Sequence, residues 1–295
     1  MSLNDLKSFY SQHGPFTTPG PYAHLYTNLP CDLDALCEIV NGLVVHDLWI
    51  GMGQLAISAE REKEANIRSV RVKLERIMEM DPRPLAEPRP FGERLFGNCR
   101  DQALLLCSFL RHCGVPARVR KGFLTNAGPQ NFDHAICQVW SENDNRWLTV
   151  DVQMDNMIRE SDRLPPEASA YLTMLTPQDT PPESFMTGGQ AWQKCRSEEA
   201  DPLSFGIEGD MWGLWMVRHN LLRDLLALNK YELVPWDDIP GSLLTKDRTE
   251  PTPEQFDFLD HVAEVTADVD TQFAEVQRLY KTTPSLHGPA DWMNT

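Results

Sequence analysis

The chain is poor in positive charge. Lys and Arg total 27 against 43 Asp and Glu, giving a net charge of -16 over 295 residues and a pI near 4.9. A surface of that sign repels phosphate backbones and anionic lipid, so nucleic acid and membrane are excluded as partners. Also missing is any apolar run near the ~20 residues that a membrane span needs. The opening residues Met1-Ser2-Leu3-Asn4-Asp5-Leu6-Lys7 lack the basic and apolar regions of a secretory signal, so a cytoplasmic location is expected. There is no internal repeat, no low-complexity tract and no EF-hand loop. Short-spaced cysteine pairs are absent too: Cys31 and Cys37 are six apart, as are Cys107 and Cys113, which does not suit a common zinc site. Seven cysteines, an odd number scattered along the chain, read as reduced thiols, with Cys107, Cys113 and Cys137 acting as small buried hydrophobes. No metal and no cofactor is expected.

What is present is enough apolar sequence, 41%, for a sizeable core. Residues 1–30 are rich in Pro and aromatics and read as an irregular arm. Asp32 to His46 shows a helical period through Leu33, Leu36, Cys37, Val40, Leu43 and Val44. A second helix is expected from about Ser58 to Met80. Four prolines between Pro82 and Pro90 then force an extended loop. Asp101 to Cys113 is apolar nearly all round and predicts a buried helix, stopped by Gly114 with Pro116 beyond it. Ala117 to Leu124, His134 to Trp140 and Arg146 to Val152 read as strands, the last two joined at Asn143-Asp144-Asn145 as a hairpin. A buried helix followed by antiparallel strands is an α+β core. Residues 160–205 are again Pro-rich and read as a connection. Met211–Leu228 and Phe256–Tyr280 predict two C-terminal helices, packed on the core or on a second copy of the chain as a homo-oligomer contact. Residues 1–160 form the expected catalytic core with its N-terminal arm, and residues 161–295 the connection and C-terminal helices, together one compact unit.

Three residues carry the chemistry. Cys99, in Gly97-Asn98-Cys99-Arg100-Asp101, stands at the start of the buried helix, where first-turn N–H groups favour a thiolate over a thiol of pKa roughly 8.5. Gly97 would let the chain turn sharply, and the Cys99 N–H would stabilise an oxyanion. His134 opens a strand 35 positions on (134 − 99) and is the expected base and acid. Asp151 ends the paired strand; a hairpin midpoint of 142.5 would set it nearly opposite His134, where a carboxylate orients the ring. Taken singly, each residue has a bland alternative: core cysteine, structural histidine, turn acid. Asp155 could replace Asp151. Trp236-Asp237-Asp238 reads as a solvated turn, and Trp212 and Trp215 as core.

At Gly97–Arg100, at the Leu-Arg-x-x-Gly-Val-Pro-Ala-Arg run of Leu110–Arg118, at Asp133-His134 and at Trp147–Asp151, the chain resembles the transglutaminase-like superfamily, including its microbial peptidase homologues. The resemblance covers about residues 40–155. It implies a papain-like core with Cys99, His134 and Asp151 as a triad, and a second oxyanion donor upstream of the cysteine, for which His46, Trp49 and Gln54 are candidates; packing is the expected role of Trp49. The activity implied is acyl transfer or hydrolysis on a peptide, amide or thioester substrate through a thioester acyl-enzyme. The competing reading is a non-catalytic binding or scaffold protein on the same fold; a zinc hydrolase is a poor third.

Overall fold

The computed structural model describes residues 2–125, 128–164 and 176–295. Pro165 and Pro166, part of the expected connection, lie outside them. The fold is α+β, and the chain divides into two compact units. One contains Ser8–Arg118, Ile136–Thr180 and Asp291–Thr295; the other contains Met1–Lys7, Val119–Ala135 and Pro181–Ala290. The chain passes between them repeatedly, an interleaving that a single cut at residue 160 does not describe.

In the first unit, Asp32 caps a helix at Leu33–Leu43, its carboxylate accepting from the Ala35 N–H at 3.0 Å. The helix ends earlier than its apolar period predicts. Val44-Val45-His46 leaves it as strand β1 and pairs in parallel with β2 (Leu95–Gly97), in the register Val44↔Leu95, Val45↔Phe96 and His46↔Gly97. The β-branched valines continue a helical period but suit a pleated ladder better. The expected helix from Ser58 to Met80 is broken for a local reason. A short turn at Ala59–Glu62 gives way to a 3-10 turn, and Ser69 caps a new helix, Val70–Met80. Next comes the buried helix Cys99–His112. Gly114, at φ +74°, stops it in the left-handed region that glycine tolerates best.

β3 is Ala117–Leu124, β4 Asn131–Ser141 and β5 Arg146–Val150. Within the first unit, β4 and β5 pair antiparallel from Cys137↔Val150 to Ser141↔Arg146. The pair sum is 287 (137 + 150), two more than the expected hairpin requires. Asp151 therefore falls in register with Ile136. It also leaves the strand to open the helix Val152–Arg159. The helices Leu33–Leu43, Cys99–His112 and Val152–Arg159 pack against one another.

In the second unit, β3 pairs antiparallel with β6 (Phe185–Thr187), and the start of β4 pairs in parallel with β7 (Phe205–Gly206). Helices Gly188–Arg196, Leu214–Leu228, Pro253–Ala267 and Val269–Thr282 pack together. The expected single helix Phe256–Tyr280 is two, broken at Asp268, whose backbone (φ -124°, ψ 55°) is not helical.

Candidate active site

Cys99 is the first residue of its helix, partly exposed, and outside any disulfide. Its surroundings are built from the motif around it. Asn98 is the N-cap, its side chain accepting from the Arg100 N–H at 3.0 Å, while the Asn98 N–H donates to Asp101 Oδ2 at 3.0 Å. This reciprocal cap holds the first turn open at the cysteine. The role of Gly97 is not the sharp turn expected of it. A Cβ there would meet Asp101 Oδ2 at 2.6 Å, so glycine is needed to make room for the carboxylate folding back over the strand end. The other oxygen of Asp101 binds Lys73 Nζ at 2.9 Å and Arg100 Nη1 at 3.0 Å, with all three side chains fully buried. Arg100 also donates to the Arg68 carbonyl at 2.7 Å. Burial opposes charge on Asp101, yet Lys73 and Arg100 outweigh it and hold the carboxyl below its usual range; burial draws the Lys73 ammonium down.

Asp151 lies in the same unit as Cys99, buried. Its carboxylate caps the helix Val152–Arg159 by accepting from the Met154 N–H at 3.0 Å, and its own N–H donates to the Pro177 carbonyl at 2.7 Å. A buried polar chain connects that helix to the cysteine helix. Gln102, one turn beyond Cys99, donates to Asn41 Oδ1 at 3.2 Å, and Asn41 donates to Asp155 Oδ2 at 2.7 Å. Asp155 is held in addition by Arg159 at 2.7 Å and Gln178 at 2.9 Å. Asp155, the alternative to Asp151, is thus committed to joining helices. His134 belongs to the other unit, one residue before the boundary at Ala135. It is buried on β4, its ring centroid 6.3 Å from that of Phe185.

Of the three oxyanion-donor candidates, Trp49 is core. It is buried with Val45, Ala65 and Phe96, and its indole N–H donates to Asn156 Oδ1 at 2.9 Å. Gln54 is exposed. His46 is different. It ends β1 opposite Gly97, it is buried, and its Nδ1 lies 2.8 Å from Asp47 Oδ1. Burial opposes a charged ring, but Asp47 and then Cys99 outweigh it and raise its pKa to about 9. The sequence placed His46 near the cysteine only as one oxyanion candidate of three; the β1–β2 pairing that brings it there is non-local.

The cysteine reading needs one correction. Cys31 and Cys113 form a disulfide, Cα atoms 5.8 Å apart across 82 residues. Cys113 is the residue after the helix, where Gly114 turns the chain, so it meets the arm rather than filling the core. Cys107 and Cys137 are buried, as expected of core thiols. Among the described residues no three His, Cys, Asp or Glu side chains gather as a metal site, and no helix is long and apolar enough to cross a membrane. Asp237 is buried and closes a turn, accepting from the Val234 N–H at 3.0 Å, while Trp236 is exposed.

Residues 57–152, about a third of the chain, match the model of the transglutaminase-like superfamily. The matched segment contains Cys99, His134 and Asp151; His46 lies before it. No curated protein and no solved structure matches the chain.

Proposed function

We propose, from the premise that residues 57–152 are a segment of the transglutaminase-like superfamily, a cysteine-based catalytic fold, that the protein is an acyl transferase or hydrolase acting on an amide or thioester. The Cys99 sulfur attacks the acyl carbonyl, forming a C–S bond and a tetrahedral oxyanion. The backbone N–H of Cys99 stabilises that charge, while the Arg100 N–H next to it serves the Asn98 cap. His134 takes the thiol proton of Cys99 as the sulfur attacks and hands it to the departing amine or thiol as the C–N or C–S bond breaks, and Asp151 orients its ring. Water or an amine then attacks the thioester and releases the acyl group. The observation that carries this reading is a partly exposed thiol at the head of a buried, well-capped helix inside the matched segment. Core cysteines have no reason to be placed there.

The test is acylation by p-nitrophenyl acetate followed by intact-mass and peptide analysis. One acyl group on Cys99, absent in Cys99→Ala, is expected. His134→Ala is expected to slow turnover by about 10²–10⁴-fold. Acyl groups spread over several thiols, or none at all, would favour the scaffold reading. That reading has its own support in Asp151, whose carboxylate caps a helix.

A further inference from the structure

Asp133 and His134 are neighbours on β4, and strand alternation turns their side chains to opposite faces of the sheet. Phe205, in register with Asn131, shares the Asp133 face; it is buried, its ring 4.9 Å from that of Phe123. The helix Leu214–Leu228 packs against β6 and β7, and from it Arg223 reaches Asp133, Nη2 donating to Asp133 Oδ2 at 2.9 Å. The same Nη2 donates to Asn220 Oδ1 at 2.9 Å, one turn back on that helix. The Arg223 side chain is fully buried, and that of Asp133 is 6% exposed. The other face of β4 carries Phe132, its ring 5.7 Å from that of Trp212, and His134, beside Phe185. Net stability is a poor reason for the Arg223–Asp133 pair. A buried ion pair gains little when its remaining donors go unmatched, and Nε and Nη1 of Arg223 meet no hydrogen-bond partner among the described residues. What the pair does supply is orientation. β7 pairs with β4 only at Asn131 and Phe132, and β5 only from Cys137 on, so neither is in register with Asp133 or His134. Arg223, itself tied to Asn220, fixes the rotation of β4 about its own axis there. A rotation that moved Asp133 would swing His134 with it.

We propose that Arg223 is a positioning residue for His134: it holds Asp133 on the helix side of β4 and so fixes the direction in which the imidazole projects from the opposite face. The proposal rests on His134 being the proton shuttle of the function proposed above. Arg223 touches no reacting atom in it and moves no proton. Its guanidinium matches the charge of Asp133 and sets the geometry of the strand. A reacting group displaced by about 1 Å loses roughly 10²-fold in rate, so an anchor on the adjacent residue is close enough to govern turnover. Arg223 lies outside the matched segment, on a helix of the chain's C-terminal part.

The test is a double-mutant cycle on the full chain, read as the rates at which p-nitrophenyl acetate and phenyl acetate acylate Cys99, followed by intact mass. Arg223→Met should slow acylation by about 10–100-fold. The loss should be greater with phenyl acetate, whose departing oxygen is the more basic and depends more on a proton from His134. In a His134→Ala background the same substitution should change either rate by no more than about twofold. A group that acts only through His134 has nothing left to act on there, whereas a purely structural loss would appear in both backgrounds. The paired variant Asp133→Leu/Arg223→Met removes both charges and strands neither, so it should keep a denaturation midpoint near the native one. It should nevertheless lose the same rate as Arg223→Met, and it carries the cycle where the single variant does not fold. Arg223→Lys, which keeps a cation for Asp133, should recover part of the loss. Acylation at the native rate by the paired variant overturns the clamp, as does an equal loss in the native and His134→Ala backgrounds. If His134→Ala itself leaves acylation unchanged, the shuttle reading falls first, and the clamp with it.

Discussion

His46 and His219 are both buried histidines, and their surroundings drive them in opposite directions. His46 has a carboxylate at 2.8 Å and a thiol acting on it, and its pKa rises to about 9. His219, on the helix Leu214–Leu228, has neither; burial first, then Arg223, Arg218 and Lys246, push it well below its usual value. Neither of its ring nitrogens makes a well-formed hydrogen bond among the described residues, and the one opposing influence, from the Asp237 backbone, is the weakest of those acting on it. The contrast extends to the neighbours. Around Cys99 the buried charges meet: Lys73 and Arg100 share Asp101. Around His219 they meet in part. Arg223 reaches Asp133 and Asn220, both at 2.9 Å, but its Nε and Nη1 and the Asn220 amide nitrogen find no partner among the described residues. Burial alone makes a neutral structural ring. Burial together with a positioned acid makes one that can take a proton at neutral pH, which is a requirement of catalysis rather than of packing.

The largest effect is expected where the pairing is densest. Asp101→Ala strands two buried cations and opens the helix cap, so it should cost about 3–5 kcal/mol in denaturant unfolding. A loss under ~1 kcal/mol would mean that water reaches Lys73 and Arg100, and the contrast between the two regions would collapse. A smaller effect should come from pH. His219 is proton-free in the folded chain, whereas the unfolded ring takes a proton near pH 6.5. The stability it confers is therefore whole above that pH and lost as pH falls, at about 1.4 kcal/mol per unit. His219→Leu should flatten that part of the stability profile; an unchanged acid limb would refute the assignment. For His46 the sign is reversed: what its charge contributes is whole below pH 6.5 and lost as pH rises through about 9.

The site was legible in sequence to the extent that its determinants are local. The helix Cys99–His112 follows from a polar cap, an apolar run and a Gly-x-Pro stop, all within 20 residues. The hairpin was readable from its turn, but not its register: the turn, which ends at Asn145 (φ +50°), is centred at 143.5 (287/2), one residue beyond the expected midpoint. What long-range contacts decide was hidden. Val44-Val45-His46 looks like the last turn of a helix until Leu95–Gly97 is set beside it. Lys73 is one of the charges interleaved with apolar residues in the expected Ser58–Met80 helix, yet it is fully buried against an acid 28 residues on (101 − 73). The pairing of Cys31 with Cys113 has no local signature at all. Gly97 was picked out for the wrong reason, because the Asp101 side chain that excludes a Cβ there belongs to the following turn.

The smallest expected effect concerns the charge of the cap itself. Asn98 holds the first turn through its side-chain amide oxygen, and its amide nitrogen is buried with no hydrogen-bond partner among the described residues. Aspartate would cap as well and remove that stranded donor, and Asp32 caps its own helix in this way. An anion beside Cys99, however, would oppose a thiolate. Asn98→Asp should therefore leave the denaturation midpoint within the equivalent of ~0.5 kcal/mol while raising the thiol pKa by up to about one unit. Asn98→Ala should do the reverse, losing about 1 kcal/mol of stability with little change in the pH profile of Cys99 alkylation. If the two variants lose stability alike and alkylate alike, the cap is structural only. If they separate, a neutral residue stands at this position because the next side chain must carry a negative charge.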